Sequence, residues 1–183
     1  RDRFIEIVKD LNLSLDIESV LDEVENQMVA SKSADYCASR GEYLSAVIMA
    51  NLLGVEFVDG KDLIRFDSKG RLNQEYTDDK VKSSLENVDR AVIPGFYGKD
   101  SSGNIKTFSR GGSDITGSII ARGVKADLYE NWTDVSGLLV CDPRIVDNPK
   151  VIKQLTYKEL RELSYMGASV LHAEAIFPVM KGK

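Results

Sequence analysis

The chain has 183 residues, 43% hydrophobic and 29% charged, with a net charge of −5. That length supports one domain with a real core, the acidic balance argues against a nucleic-acid-binding face, and no stretch approaches the roughly 20 apolar residues that span a bilayer. Two cysteines far apart, Cys37 and Cys141, and a single histidine, His172, form no metal-ligand spacing, so a reduced, cytoplasmic setting without a protein metal site is expected.

Phe4, Val8 and Leu11 recur at helical spacing, and Ile17, Val20, Leu21, Val24 and Met28 repeat the pattern. Two amphipathic helices are expected, the second with a solvated face at Glu18, Asp22, Glu23 and Glu25. Ser39-Arg40-Gly41-Glu42 fits a capping box, opening a helix through Leu44, Val47, Ile48 and Leu52 that Gly54 closes. Glu42 then has two readings: the reciprocal carboxylate of the cap, or a carboxylate aimed at an ammonium or a lysine. Strands follow at 55–59 and 63–67, a turn at 67–70, a helix over 81–88, a buried strand at 91–96 and a hairpin turning at 99–104.

The hairpin delivers Ser109-Arg110-Gly111-Gly112-Ser113-Asp114, which enters an apolar helix from Ile115 that ends near Gly123. Without a Cβ at Gly111 and Gly112, a ligand can approach the backbone closely. N–H groups at a helix start attract carboxylate and phosphate, and Arg110 adds a planar fork that grips a carboxylate with two hydrogen bonds. The plain structural reading is a Gly-Gly turn whose helix is capped by Ser113 or Asp114, with Arg110 in solvent.

Further along, strands are expected at 126–132 and within 133–140, and Asp142-Pro143-Arg144 makes a turn. Trp132 reads as core or pocket wall, Cys141 as a small buried hydrophobe and His172 as a packed or capped histidine. Leu160, Leu163 and Met166 mark a helix stopping at Gly167, residues 169–172 a strand or helix entry, and residues 175–183 a further helix. Alternating strands and helices define an α/β class with a mainly parallel sheet. Ligands in such sheets sit at the carboxyl ends of strands, where both polar loops, 110–114 and 133–144, are expected.

Four ordered blocks give the sequence a family likeness. They are Ser39-Arg40-Gly41-Glu42; Gly95-Phe96-Tyr97-Gly98 leading to Ser109-Arg110-Gly111-Gly112-Ser113-Asp114; Trp132-Thr133-Asp134-Val135-Ser136-Gly137 with Asp142-Pro143-Arg144; and Met166-Gly167-Ala168-Ser169-Val170-Leu171-His172. Together they resemble the aspartate kinases of the amino-acid kinase superfamily, over nearly the whole chain. The resemblance implies a three-layer αβα fold, carbamate kinase-like, and transfer of the ATP γ-phosphoryl group to the side-chain carboxylate of L-aspartate. The product would be 4-phospho-L-aspartate, on the way to lysine, threonine and methionine. By position, Arg110, Gly112 and Ser113 would bind the acceptor. Glu42 would take its ammonium or orient a catalytic lysine, and Asp114 would organise the transfer site. Thr133, Asp134, Gly137, Leu139, Arg144 and Ser169 would line the nucleotide, with Mg2+ held mainly by ATP phosphates.

The family's opening Lys-Phe-Gly-Gly-Ser segment and its C-terminal ACT domains have no counterpart in these residues, so the resemblance implies a catalytic domain incomplete at both ends and weakly active or inactive as an isolated chain. Leu139 and Ser169 stand where family members often carry Tyr and Lys, and Ala173 replaces a usual Pro. The partners implied are L-aspartate and ATP, with neither nucleic acid nor membrane, and a homo-oligomer is compatible with the intact enzyme. Two other readings stand beside this one: another amino-acid kinase with a different carboxylate acceptor, and a non-catalytic ligand-binding or interaction fragment.

Overall fold

The computed structural model describes residues 1–133, 137–142 and 145–165. The two opening helices form as the periodicity predicts. α1 (Asp2–Asp10) and α2 (Ile17–Ser31) pack against α3 (Ala34–Leu53), burying Val8, Ile17, Leu21, Val24, Leu44 and Ile48 in one apolar cluster. Asp16 caps α2 by accepting from the Ser19 N–H at 3.1 Å. Residues on the solvated face of α2 include Asp22 and Glu25, which pair with Arg1 at 2.7 and 3.0 Å.

The start of α3 corrects the capping-box expectation. Ser33 caps the helix through the Tyr36 N–H, 3.2 Å away, six residues before Ser39. Ser39 lies fully buried inside α3 and donates to the Tyr36 carbonyl at 2.7 Å, the back-bonding a helical serine makes when its N-cap role is already filled. Glu42 is therefore an exposed mid-helix residue. Gly54 ends α3 in the left-handed region (φ +62°), as expected.

β1 (Glu56–Phe57) pairs in parallel with β2 (Ala91–Val92). Between them come α4 (Gly60–Leu63), capped by Asp59, and α5 (Gln74–Leu85), capped by Asn73. The strand expected at 63–67 is replaced by the end of α4 and isolated bridges from Arg65 to Lys99 and from Phe66 to Leu72. α5 starts earlier than the expected 81, because its first turns are polar and show no apolar stripe. β3 (Tyr97–Lys99) and β4 (Ile105–Thr107) form the expected antiparallel hairpin. α6 (Gly112–Gly123) follows, and its Ile115 and Ile119 join Leu63, Ile64, Phe66 and Val81 in a second core.

The described residues thus carry one parallel and one antiparallel pair of strands rather than a single parallel sheet. The strand expected at 126–132 does not form; the segment finds no ladder partner among the described residues and most of it is exposed. Trp132 is 88% exposed, not core, and Cys141 is half-buried. Leu139 bridges Val151 in place of a second strand, and α7 (Tyr157–Tyr165) buries no residue. The expectations for Met166, residues 169–172, His172 and residues 175–183 lie outside the described residues. Among the described residues no helix is long and apolar enough to cross a membrane.

Candidate active site

The Arg110–Asp114 segment sits where the hairpin meets α6. Gly111 is the N-cap, in the left-handed region at φ +57°, and no side chain among the described residues caps the helix. This corrects the expectation that Ser113 or Asp114 caps it. Both lie one residue or more inside the first turn, and the chain reaches the helix through a glycine conformation that costs a bulkier residue more. The first intrahelical bond runs from the Ile115 N–H to the Gly111 carbonyl at 2.9 Å, so the N–H groups of Gly112 and Ser113 have no intrahelical acceptor. They and the helix dipole make this end attractive to an anion. Arg110 and Ser113 are exposed beside it.

A rigid wall backs this helix start. A Cβ on Gly112 would sit 2.9 Å from the Phe96 Cα and 2.9 Å from the Phe108 Cβ, so only glycine fits. Phe96 itself has φ +78°, a left-handed conformation rare for a non-glycine residue. Three hydrogen bonds hold it there. Its N–H donates to Thr116 Oγ1 at 3.1 Å, the Thr116 hydroxyl donates to the Gly112 carbonyl at 2.7 Å, and the Phe108 N–H donates to the Phe96 carbonyl at 2.9 Å. Sequence reasoning did not single out Phe96 or Thr116 as site residues, since nothing in the composition of this stretch signals a positive φ at a phenylalanine.

Asp114 is half-buried, with its Oδ1 3.5 Å from Asn131 Nδ2. The Tyr129 ring lies against Gly117, and its hydroxyl is 3.5 Å from the Asp114 carbonyl oxygen. Burial pushes the Tyr129 hydroxyl up from its ordinary value, reinforced by the Asp114 charge. Asn131 and Tyr129 therefore bring the segment leading to Thr133 alongside the start of α6, a contact sequence reasoning missed. Thr133 is exposed; Gly137 and Leu139 are half-buried in the following loop. Asp134, Arg144 and Ser169 lie outside the described residues. Among the described residues no hydrogen bond or ion pair brings Glu42 to Arg110–Asp114, and it stays exposed on α3.

α3 is fixed to the hairpin through Asp35, which accepts from Lys106 Nζ at 2.9 Å and from Thr107 Oγ1 at 2.5 Å. Burial raises the Asp35 carboxyl, but these two donors outweigh it and hold the group below its ordinary value. A cleft of about 680 Å³ opens beside the motif, lined by Phe96, Phe108, Ser109 and Ile115. Arg110, Ser113 and Asp114 are not among the residues lining it. Among the described residues no group of three or more His, Cys, Asp or Glu could hold a metal ion.

The start of α6, uncapped by any described side chain, lies next to Arg110 on an α/β frame, an arrangement whose free N–H groups favour anions in general. Residues 3–183 match the amino acid kinase family, and the chain belongs to it. It is 38% identical over 194 aligned positions to aspartokinase 3 of Bacillus subtilis, covering 98% of this chain and 43% of that protein. Clostridium acetobutylicum aspartate kinase superposes with a TM-score of 0.90 at 54% identity, over 98% of this chain and 40% of that one. Escherichia coli aspartokinase III, solved with aspartate and ADP, shares the fold with a TM-score of 0.80 at 23% identity, over 99% and 47% of the two chains. The chain thus spans about two fifths of the length of these relatives.

Proposed function

We propose that the chain is part of the catalytic domain of an aspartate kinase, within a three-layer αβα arrangement, and that residues 1–183 contribute its acceptor site and part of its nucleotide site. The observation that carries the reading is the uncapped start of α6 beside Arg110, walled by Phe96 and closed to any residue but glycine at 112. Its likeness to aspartokinases of known name supports the choice of acceptor.

The reaction brings two anions together, so the protein contributes position and oriented positive charge rather than a covalent nucleophile. Arg110 grips the α-carboxylate of L-aspartate through a bidentate pair of hydrogen bonds. The Gly112 and Ser113 amides and the Ser113 hydroxyl hold the acceptor in the same nest. An oxygen of the side-chain carboxylate attacks the γ-phosphorus, the bond from that phosphorus to the β,γ-bridging oxygen breaks, and ADP leaves with that electron pair. Asp114 orients the transfer site, and Glu42 meets the acceptor ammonium or a catalytic lysine. Thr133, Asp134, Gly137, Leu139, Arg144 and Ser169 line the nucleotide. The described carboxylates form no cage for a metal. Magnesium would be held mainly through ATP phosphates, where it would neutralise charge on the transferring phosphoryl group. The product, 4-phospho-L-aspartate, leads to lysine, threonine and methionine, and the setting is the cytoplasm, with a homo-oligomeric intact enzyme.

Thermal unfolding with single ligands tests this, because a ligand that binds only the native state raises the midpoint by mass action. L-Aspartate and magnesium-ATP raise it on this account, and L-glutamate leaves it in place. Stabilisation by L-glutamate in preference to L-aspartate would assign a different acceptor.

A further inference from the structure

A second cleft, of about 790 Å³, lies between α2, α3 and the β3–β4 hairpin, and neither Arg110 nor Asp114 lines it. At its wall is Arg40, which is only 4% exposed. We propose that this cleft is a binding site for a small oxyanion, a carboxylate or a phosphate, with the Arg40 guanidinium as its anchor. The inference is independent of the acceptor site described above.

The argument starts from what surrounds the charge. The guanidinium carbon lies over three rings, 4.3 Å from the centroid of Tyr36, 4.6 Å from that of Tyr43 and 5.1 Å from that of Tyr97. Its Nε donates to Ser39 Oγ at 3.1 Å and to the Tyr36 carbonyl at 3.3 Å, and Nη2 donates to Ser39 Oγ at 2.9 Å. A guanidinium carries five N–H groups. Three of them, both on Nη1 and one on Nη2, have no acceptor among the described residues. Nη1 makes no bond among the described residues, yet it is not among the buried atoms sealed from solvent, so it is reached from the cleft. No carboxylate among the described residues pairs with Arg40.

Buried arginines are ordinarily paired, because an uncompensated charge in a dry site is costly. The tyrosine rings stabilise the cation through their faces, whereas an oxyanion would bond in plane, at the Nη1 end and the second Nη2 N–H that the Ser39 and Tyr36 contacts leave unused. The three lysines at the cleft are already engaged. Lys61 pairs with Asp59, Lys99 with Asp62 and Lys106 with Asp35, at 3.0, 2.7 and 2.9 Å. Asp35, Glu23 and Asp100 also line the cleft, but none of them is ion-paired with Arg40. Burial pushes the Tyr43 hydroxyl up, so it remains a neutral O–H donor at the same wall. Arg40 belongs to a motif whose glutamate the proposed kinase reading uses and whose arginine it does not.

The test follows the arginine Nε–H signals of the 15N-labelled full chain during titration with inorganic phosphate, and separately with acetate, at constant ionic strength. The proposal predicts a saturable shift of the Arg40 signal, retained in Arg110→Ala. Saturation by phosphate alone assigns a phosphoryl ligand, by acetate alone a carboxylate, and by both their shared chemistry; each outcome supports the site. Arg40→Gln weakens the saturable binding about tenfold or more, the scale of a lost charge-assisted hydrogen bond. Should Arg40→Gln fail to fold, Tyr43→Phe keeps the ring and removes the hydroxyl donor, and binding weakens there too. No Arg40 shift with either anion, or only non-saturating shifts shared by exposed arginines, would overturn the proposal and leave Arg40 as a packing clamp between α3 and the hairpin.

Discussion

The two halves of the proposed transfer site are built differently. On the acceptor side, Gly112 is wedged against Phe96 and Phe108, and Thr116 ties the Phe96 backbone to the first turn of α6. On the nucleotide side, Thr133 sits on an exposed segment that touches α6 through Tyr129 and Asn131 at 3.5 Å. One half is set by close packing around Gly112, and the other by the half-buried Tyr129 ring against Gly117 and two long polar contacts. If the start of α6 holds the acceptor as proposed, its core-packed half should be the more sensitive of the two to single substitutions.

That contrast can be broken most forcefully at Gly112. Gly112→Ala places a methyl at 2.9 Å from the Phe96 Cα and is expected to destabilise by about 1–3 kcal/mol, the cost of overpacking. It also removes stabilisation by L-aspartate, read as a lost shift in thermal midpoint. An unchanged midpoint in the Gly112→Ala variant would show that the wall yields.

Thr116→Val comes next. It keeps the shape but leaves the Phe96 N–H and the Gly112 carbonyl without this partner, for a loss of about 1–2 kcal/mol in chemical denaturation. Weaker L-aspartate binding with unaltered magnesium-ATP binding would locate the defect on the acceptor side.

A smaller effect concerns the attachment of α3 to the hairpin. The Asp35 carboxyl is held below its ordinary 3.8 in the folded state, against burial, by Thr107 and Lys106. Its contribution is therefore complete above pH 3.8 and is lost as pH falls through the lower folded value. Asp35→Asn should cost about 1 kcal/mol at neutral pH, given partial exposure, and the gap to wild type should close in acid unfolding below pH 3.8. A gap that persists unchanged to low pH would contradict the assignment.

The mildest change is Trp132→Ala, expected within about 0.5 kcal/mol of wild type because the ring is 88% exposed. As the only tryptophan in the chain, Trp132 reports on its own segment. Its emission should be that of a solvated indole and should respond to magnesium-ATP and not to L-aspartate. The reverse pattern would place the acceptor on the exposed side.

What the sequence made legible follows the same division. Apolar periodicity in Phe4–Val8 and Ile17–Val24 marks real buried faces, and the turn ahead of Asn104 marks a real hairpin. The Arg-Gly-Gly entry to α6 was visible because glycine pairs at a helix start carry a backbone meaning. Ser39-Arg40-Gly41-Glu42 misled because a capping-box pattern also fits a serine already inside a helix, and the effective cap, Ser33, lacks the glutamate partner three residues on. A strand was expected at 126–132, but a strand needs a partner, and pairing is decided by tertiary structure rather than by propensity. The positive φ of Phe96 and the Asn131–Asp114 contact are products of packing between distant segments, which no local pattern encodes.

The central claim, that the start of α6 with Arg110 holds the acceptor, is tested most directly by calorimetric titration of L-aspartate into the chain and into its Arg110→Ala variant. The account predicts saturable binding of one L-aspartate per chain, abolished by Arg110→Ala in a variant that still unfolds cooperatively. Undiminished binding in Arg110→Ala would contradict it.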